Sequence, residues 1–453
     1  MALSEDDKRL LKELFNRCNP HEPLLPGDPR YQPIYDGVHC EDPVARLRTH
    51  IEWAGAESLQ FFSGFSGSGK TTELYRLRRD LENNGVLVLY ANALDYLGTQ
   101  VPVDISDMLL VVAGAFSDSL KTDHGIDLGS ESWWGRITNY LTRTSIAVTE
   151  ATAKIETESP AKEIAGGLTG GVELKFALKE SATFRKKLRA FLENRLVELK
   201  KEVNKFIEEG VQALRGRNRP DAPIVLIFDQ LERLGNEREV IVSLKRVFSG
   251  HLEKLRLPLV HVIYTVPPWL PLVLHGVDME LLPCLRLWEN NPGRTHNKPV
   301  WSAARKLIGR RLKEDGYARL FGVDSASADG LADRVIQASG GHFRDLLRLI
   351  REVLLRIQTQ AQKLPVSDAV IAGAIQRVRE TYLPLSVEVA AHLSLIAETR
   401  ACTLENSSPD QVLLISDLLD GHLILYFSND EEWYDIHPLV RDEVAKIIQR
   451  SKK

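Results

Sequence analysis

The segment GFSGSGKT, residues 64–71, restricts the possible folds of this chain more than any other feature of its sequence. Gly64, Gly69, Lys70 and Thr71 fill the spacing G-x-x-x-x-G-K-[ST]. Glycines at this spacing let the backbone wrap around phosphate groups with its N–H groups pointing inward, and a following helix adds its positive N-terminal end. The segment therefore predicts a phosphate-binding loop between a strand and a helix.

The residues on either side of the loop fit this prediction. The apolar stretch SLQFFSG precedes it, and TTELYRLRRDLENNG, which follows, has helical spacing. Lys70 is expected to reach the β- and γ-phosphates of ATP, and the Thr71 hydroxyl is expected to bind Mg²⁺. The predicted nucleotide-binding residues of this segment are Gly64, Gly67, Ser68, Gly69, Lys70, Thr71 and Thr72.

A second strand candidate supplies the carboxylate that such a site needs. In APIVLIFDQLERL, residues 224–228 form a continuous apolar run, as expected for a central parallel strand, and Asp229 follows at its carboxyl end. Because Mg²⁺ prefers oxygen ligands, we assign Asp229 to the magnesium site together with Thr71.

The base that activates the attacking water is expected close to Asp229. Gln230 follows directly, and the nearest acid is Glu232. The predicted catalytic residues are therefore Lys70, Glu232 as the general base, and Gln230 as a group that orients water. An ion pair between Glu232 and Arg233 is the alternative interpretation.

Two further residues are candidates for contacting the γ-phosphate. A strand predicted at residues 259–264 ends in Thr265, although β propensity alone also favours threonine there. Arg344 lies in the first turn of a helix predicted after Gly340 and Gly341, in SGGHFRDLLRL. A solvated or ion-paired arginine is the alternative.

The alternation of strands and helices predicts an α/β fold. We expect a P-loop NTPase parallel sheet with helices on both faces, followed by a helical lid and a winged-helix domain. The predicted boundaries are 1–30 for an N-terminal helix and linker, 31–290 for the ATPase core, 291–382 for the lid and 383–453 for the winged-helix domain. A helical insertion is predicted within the core, at about 117–220.

The second half of the insertion has one apolar helical face. Its members are Leu192, Leu196, Leu199, Val203 and Phe206. This face either forms a partner surface or packs on the insertion's own core, with Lys200, Lys201 and Lys205 in solvent.

The last segment has the outline of a winged helix. From about Ser386 it reads as a helix, a short helix, the helix PDQVLLISDLLDG, and a hairpin turning at Asn429 and Asp430. Such modules often bind DNA, but from Ser386 to His437 there are ten acidic residues and one base, Arg400. Because phosphate contact needs the opposite charge, we expect a protein partner or self-assembly rather than nucleic acid.

The composition is that of a soluble globular protein. A net charge of -4, with 43% hydrophobic residues, gives no general attraction to nucleic acid. The uncharged stretch between Arg256 and Asp278 contains prolines that would break a spanning helix, and no export signal is found, so we expect a cytoplasmic protein without membrane contact. The cysteines are too scattered for a zinc or redox motif: Cys18, Cys40, Cys284 and Cys402.

The order of these motifs resembles that of the AAA+/STAND-like ATPases. The motifs are GFSGSGKT, IVLIFDQLER, the strand ending in Thr265, SGGHFRDLLRL and a hairpin leading into HPLV. The similarity is to the origin-recognition-related branch, which carries a winged helix after its lid. It implies ATP and Mg²⁺ as cofactors, Thr265 as a first sensor and Arg344 as a second. No acid directly follows Asp229 and no arginine follows Thr265, which leaves the hydrolysis rate and the trans-acting arginine unassigned.

The sequence predicts an ATP-binding, slowly hydrolysing ATPase that acts as a nucleotide-dependent switch or assembly factor on protein partners. The resemblance implies a place in a bacterial defence system. The alternative is a DNA-acting AAA+ ATPase of the replication-loader or transposition-regulator type, favoured by the winged-helix outline and by basic lid residues: Arg305, Lys306, Arg310 and Arg311. A small-molecule kinase shares the P-loop, but it has no use for the C-terminal domains.

Overall fold

The computed structural model describes residues 3–35, 41–152, 171–235, 237–322, 325–404, 408–428 and 431–451. The strands are β1 (Ser58–Gly64), β2 (Leu87–Asn92), β3 (Ile224–Asp229), β4 (His261–Val266), β5 (Met279–Leu282), β6 (Ile424–Ser428) and β7 (Glu432–Ile436). The helices up to the end of the sheet are α1 (Glu5–Arg17), α2 (Pro43–Trp53), α3 (Lys70–Asn83), α4 (Ile105–His124), α5 (Trp133–Thr152), α6 (Gly171–Glu180), α7 (Ala182–Leu192), α8 (Leu196–Gly216), α9 (Arg238–Gly250) and α10 (Leu252–Leu255). They are followed by α11 (Lys298–Phe321), α12 (Ser325–Ser339), α13 (Phe343–Thr359), α14 (Asp368–Glu380), α15 (Val387–Thr399), α16 (Pro409–Asp420) and α17 (Pro438–Ser451).

The first five strands form one parallel sheet in the order β2-β3-β4-β1-β5. Alternate residues of the buried strand β3 face opposite sides of this sheet. Val225 and Ile227 pack with α2 and α3, whereas Leu226 and Phe228 pack with α4 and α9. The predicted parallel sheet with helices on both faces is therefore confirmed.

Two strands begin or end at other residues than predicted. Leu259 has a φ of 61°, a left-handed conformation that no strand contains, so β4 begins at His261 and extends past Thr265. The last strand, predicted near LLPCLRL, is β5, which ends before Pro283 because proline has no N–H for a sheet hydrogen bond.

The apolar face of the insertion packs on α4. Phe206 of α8 makes an edge-to-face contact with Phe116, and a Cβ at Gly210 would lie 2.5 Å from the same ring. The packed alternative is thus the one observed, except that Lys200 is not in solvent: its ammonium donates to the Arg256 carbonyl, and burial lowers its pKa to about 8. The insertion residues 153–170 lie outside the described residues.

The lid is built from helices α11 to α14, and the N-terminal helix belongs to it. Leu11 and Leu14 of α1 are buried in the same apolar cluster as Ile308, Ile350 and Leu354 of the lid helices. The described residues 18–35 of the segment between α1 and α2 therefore lead from the lid towards the sheet domain and lie beside the phosphate loop.

The C-terminal module, residues 386–451, consists of α15, α16, an antiparallel β6–β7 hairpin and α17. The described residues between α15 and α16, 400–404 and 408, contain no short helix, contrary to the prediction. The predicted turn residues Asn429 and Asp430 and the thiol of Cys40 lie outside the described part of the chain. Cys18, Cys284 and Cys402 are buried free thiols. Within the described residues, no helix has the length and apolar character needed to cross a membrane.

Candidate functional site

The predicted phosphate loop connects β1 to α3. β1 ends at Gly64 and α3 begins at Lys70, so the loop amides and the helix N-terminus point to one place. Gly67 and Gly69 have φ values of 83° and 99°, in the region that favours glycine. At Gly67, a Cβ would also lie 2.5 Å from the Arg344 side chain. The loop conformation therefore depends on Gly69 of the motif and on Gly67, which fills one of the variable positions of the motif.

Lys70 is held at the base of the loop. Its ammonium donates to the carbonyl oxygens of Gly64 and Phe65, at 2.7 and 3.0 Å. It also forms an ion pair with Glu232, with 3.2 Å between Nζ and Oε1. Both side chains are largely buried, so the structure brings the predicted phosphate-binding lysine and the predicted base into direct contact.

The two predicted magnesium ligands also meet. Thr71 Oγ1 donates to Asp229 Oδ2 at 3.1 Å, although 158 residues separate the two positions. The Asp229 carboxylate further accepts the Tyr90 hydroxyl at 2.6 Å and the Gln230 N–H at 2.8 Å. Burial and the nearby Glu232 charge raise the pKa of Asp229, against the effect of these hydrogen bonds. The donor set itself fits the ion, because an ionised carboxylate beside a threonine hydroxyl offers the hard oxygen donors that suit Mg²⁺.

Gln230 and Glu232 lie on a tight turn directly after β3. Gln230 has a φ of 71°, and residues Leu231–Arg233 form a single 3₁₀ turn that directs Glu232 towards Lys70. The Gln230 side-chain oxygen accepts a hydrogen bond from Arg233. Both Gln230 and Glu232 line the cavity above the phosphate loop, where a base and a water-orienting group are needed.

Thr265 does not line this cavity. It is fully buried, and its hydroxyl accepts a hydrogen bond from the Leu231 N–H at 3.2 Å. The observed contact fixes the turn that carries Gln230 and Glu232. A role of Thr265 as a first sensor in contact with phosphate stays a prediction from the resemblance.

Arg344 comes to the loop from the lid. Its guanidinium donates to Ser66 Oγ at 2.8 Å, and burial lowers its pKa. Its Nε is buried without a hydrogen-bond partner in the described residues, so the side chain retains a donor close to the loop. Gly341 makes this approach possible, because a Cβ there would lie 2.0 Å from the Leu285 carbonyl oxygen. Arg348 and Arg351, on the same helix, pair elsewhere.

The opposite wall of the cavity comes from the segment between α1 and α2, which the sequence analysis left out of the site. The Leu24 N–H donates to the hydroxyl of Thr72, and the Tyr31 hydroxyl donates to Glu73 of α3. Together with Leu307 and Leu347 of the lid, this segment encloses a cavity of about 340 Å³. No motif marks these residues, because their role depends on packing. Tyr90, which holds Asp229, was missed for the same reason.

No protein-family model and no curated protein matches this chain. Among solved structures, Drosophila ORC bound to DNA is similar at 14% identity and a TM-score of 0.37, covering 99% of this chain and 94% of that chain. The Aeropyrum pernix ORC2 protein in its ADP form is similar at 11% identity and a TM-score of 0.42, covering 97% and 98%. Cdc6p from Pyrobaculum aerophilum is similar at 11% identity and a TM-score of 0.34, also covering 97% and 98%. At such identities and TM-scores, the likeness carries no conclusion on activity, ligand or partner.

Proposed function

We propose that this chain binds ATP with Mg²⁺ between the phosphate loop and the lid, hydrolyses it slowly, and acts as a nucleotide-dependent switch. The single observation that carries the proposal is the convergence of Lys70, Thr71, Asp229 and Glu232 at one end of the sheet, under Arg344 of the lid. These residues come from β3 and the turn that follows it, the phosphate loop and α13, so three parts of the chain have to fold together to assemble the site.

Each group has a distinct chemical task in this proposal. The loop amides and Lys70 bind the phosphates, and Thr71 with Asp229 would hold Mg²⁺, which supplies charge neutralisation at the β- and γ-phosphates when bound. Glu232 takes the proton from the attacking water, while Gln230 orients that water. The Glu232–Lys70 ion pair must loosen for both groups to act, which supports slow turnover.

The switch part of the proposal rests on the position of Arg344. A cationic group on the lid that lies against the phosphate loop can favour a closed lid when phosphate is present, because the two charges attract. Helix α1 packs on the lid, and the C-terminal module follows the lid in the chain. A movement of the lid would therefore move the surfaces of α1 and of the module, to which protein partners or a second copy can bind. The partner and the defence pathway stay predictions from the sequence.

The direct test is nucleotide binding and turnover of the purified chain. We expect magnesium-dependent binding of a fluorescent ATP analogue, abolished by Lys70→Ala, and phosphate release that Glu232→Gln stops while binding is retained. Lys205→Ala, an exposed lysine of α8, is the matched control. Absence of binding in the unchanged protein refutes the proposal. Transfer of the γ-phosphate to an added acceptor instead of water would favour a kinase.

One observation supports the DNA-acting alternative. Arg294, Arg400 and Arg441 gather around Asp435 of β7 in the described part of the chain. Two of them lie outside the stretch that contains ten acids, so the surface of the module is locally less acidic than its sequence predicts.

The basic lid residues support that alternative less. Arg305 pairs with Asp333, and Arg311 is buried and donates to the Arg17 carbonyl. Salt-dependent duplex binding that is lost in Arg441→Ala would favour DNA, and no binding at low salt would remove the alternative.

A further inference from the structure

A buried polar cluster lies directly behind the phosphate loop, and no step of the proposed hydrolysis uses it. Its centre is the carboxylate of Asp345 on α13, which is fully buried. Three buried histidines surround it: His342, His422 and His437. Buried polar groups without a task are rare because desolvating them is unfavourable, so the cluster requires an explanation.

The cluster connects the phosphate loop to the lid. His342 Nδ1 lies 2.6 Å from Asp345 Oδ2, and its Nε2 lies 3.0 Å from the carbonyl oxygen of Ser66. A carboxylate and a carbonyl oxygen can only accept hydrogen bonds, so the geometry requires a proton on both ring nitrogens. His342 is then a cation held between two acceptors. Both the carbonyl and the hydroxyl of Ser66 are hydrogen-bonded to the lid, because Arg344 donates to the hydroxyl.

The same carboxylate connects the lid to the C-terminal module. His422, just before β6, places Nδ1 3.3 Å from Asp345 Oδ2, and His437, just after β7, places Nε2 3.7 Å from it. The Leu439 N–H donates to His437 Nδ1, so the proton of neutral His437 sits on Nε2 and points to Asp345. His437 Nε2 is buried without a hydrogen-bond partner in the described residues, and at 3.7 Å it is in contact with the carboxylate but too far away for a direct hydrogen bond. Both ends of the hairpin therefore pack against one residue of the lid, with the His422 end closer to it.

The electrostatics of the cluster agree with an ionised centre. Burial alone would raise the pKa of Asp345, but the His342 charge and the hydrogen bonds from His342 and His422 hold it well below its usual range. Arg348 donates to the other carboxylate oxygen at 2.8 Å. His342, Asp345 and His422 lie close enough to share a metal ion, but Arg348 already donates to this carboxylate and the Arg344 charge is nearby, so both would repel a divalent cation there. The charges around Asp345 therefore favour hydrogen bonds from the histidines over a bound metal ion.

We propose that Asp345 and His342 are positioning residues that hold the Ser66 carbonyl of the phosphate loop and seat the C-terminal module on the same carboxylate. Nucleotide binding and the seating of the module are then thermodynamically linked, so each changes the equilibrium of the other. This inference rests on the proposed nucleotide site. It adds the route by which that site reaches the β6–β7 hairpin, through residues that do not line the cavity.

The test uses His422→Asn in the full chain, with nucleotide affinity and hydrogen exchange of residues 424–436 as readouts. His422 does not line the cavity, so a local effect on nucleotide is excluded. We expect nucleotide to slow exchange of the hairpin in the unchanged protein. In His422→Asn we expect affinity at least about fivefold weaker and no nucleotide effect on exchange. The matched control is His261→Asn, a buried histidine of β4 that is hydrogen-bonded to Ser58.

A double variant separates linkage from general destabilisation. His342 and His422 act through one carboxylate. As a single change, His342→Gln should therefore weaken nucleotide binding, but in the double variant it should weaken binding by less than about twofold relative to His422→Asn. Additive losses of affinity in the double variant overturn the inference. So does a His422→Asn protein whose nucleotide affinity is within twofold of the His261→Asn control and whose hairpin exchange still responds to nucleotide. If the unchanged protein binds one equivalent of zinc and His422→Asn does not, the inference is overturned in favour of a metal site. Failure of the unchanged protein to bind nucleotide overturns the proposed function as well, whereas retained binding with unlinked exchange overturns this inference alone.

Discussion

Replacing Gly341 by alanine should detach the lid from the sheet domain. Gly341 has a φ of 86°, and a Cβ added there would lie 2.0 Å from the Leu285 carbonyl oxygen. That oxygen belongs to the backbone and cannot rotate away as a side chain can. The Leu285 N–H in turn donates to the Gly341 carbonyl at 3.0 Å, so the two residues form the junction between the lid and the end of the sheet.

The expected loss can be worked out from these contacts. A non-glycine residue in the left-handed region costs about 1–2 kcal/mol. Separating the two backbones to relieve the overlap breaks the hydrogen bond, which costs about 1 kcal/mol more. We therefore expect a loss of about 2–3 kcal/mol in the free energy of docking the lid. The adjacent His342 and Arg344 should then be displaced from the loop. Loss of their contacts should weaken nucleotide binding by about tenfold.

The measurements are urea unfolding followed by circular dichroism and titration with a fluorescent ATP analogue. Gly330→Ala, on α12, is the matched control, because Gly330 is exposed and an added Cβ there meets nothing within 4 Å. Alanine is the better helix former, so that variant should be neutral or up to about 1 kcal/mol more stable. Equal unfolding midpoints and equal affinities in the two variants would refute the reasoning about the Gly341 junction.

Three further predictions follow from the site and the cluster. Tyr90→Phe removes the 2.6 Å hydrogen bond to Asp229 and should raise the Mg²⁺ concentration for half-maximal ATPase activity by about tenfold; an unchanged magnesium titration would contradict this. Asp229→Asn should raise the melting temperature of the nucleotide-free protein at pH 7 while abolishing magnesium-dependent binding. The reason is that burial and the Glu232 charge raise the pKa of the Asp229 carboxyl, so ionised Asp229 destabilises the folded protein at a pH above the ordinary pKa of an aspartate. A lower melting temperature in Asp229→Asn would contradict this prediction. Burial lowers the pKa of His422 to about 4 and that of His437 to about 3, so stability should fall as pH drops below 6.5, as urea midpoints between pH 7 and 4.5 would show. His437→Asn should flatten that slope, and an equally steep slope would assign it to other groups.

Some elements followed directly from local sequence. β1, β3 and α3 lie where the apolar runs and the glycines place them, because their residues have few alternatives: a continuous apolar run has to be buried, and the loop glycines adopt φ values that other residues avoid. β4 began later than predicted, since the left-handed Leu259 excludes a strand start that apolar character alone suggested.

Side-chain roles were less predictable than elements. Thr265 lies near the carboxyl end of β4 beside the site, but its hydroxyl accepts a hydrogen bond from the Leu231 N–H, because the turn after β3 passes over it. Lys200 lies on the charged face of its helix and yet reaches the Arg256 carbonyl, since a segment distant in sequence covers that face. Such contacts depend on how elements pack, and periodicity within one helix contains no information on its neighbours.

The sequence by itself determined the phosphate loop, the strand that carries Asp229, and the alternation of strands and helices in the sheet domain, because these depend on residues close together in the chain. Only the tertiary structure decided that Tyr90 holds Asp229, that the segment between α1 and α2 forms a wall of the cavity, and that three histidines meet at Asp345. Those groups come from positions far apart in the chain, and their hydrogen bonds become favourable only when packing has removed water from around them.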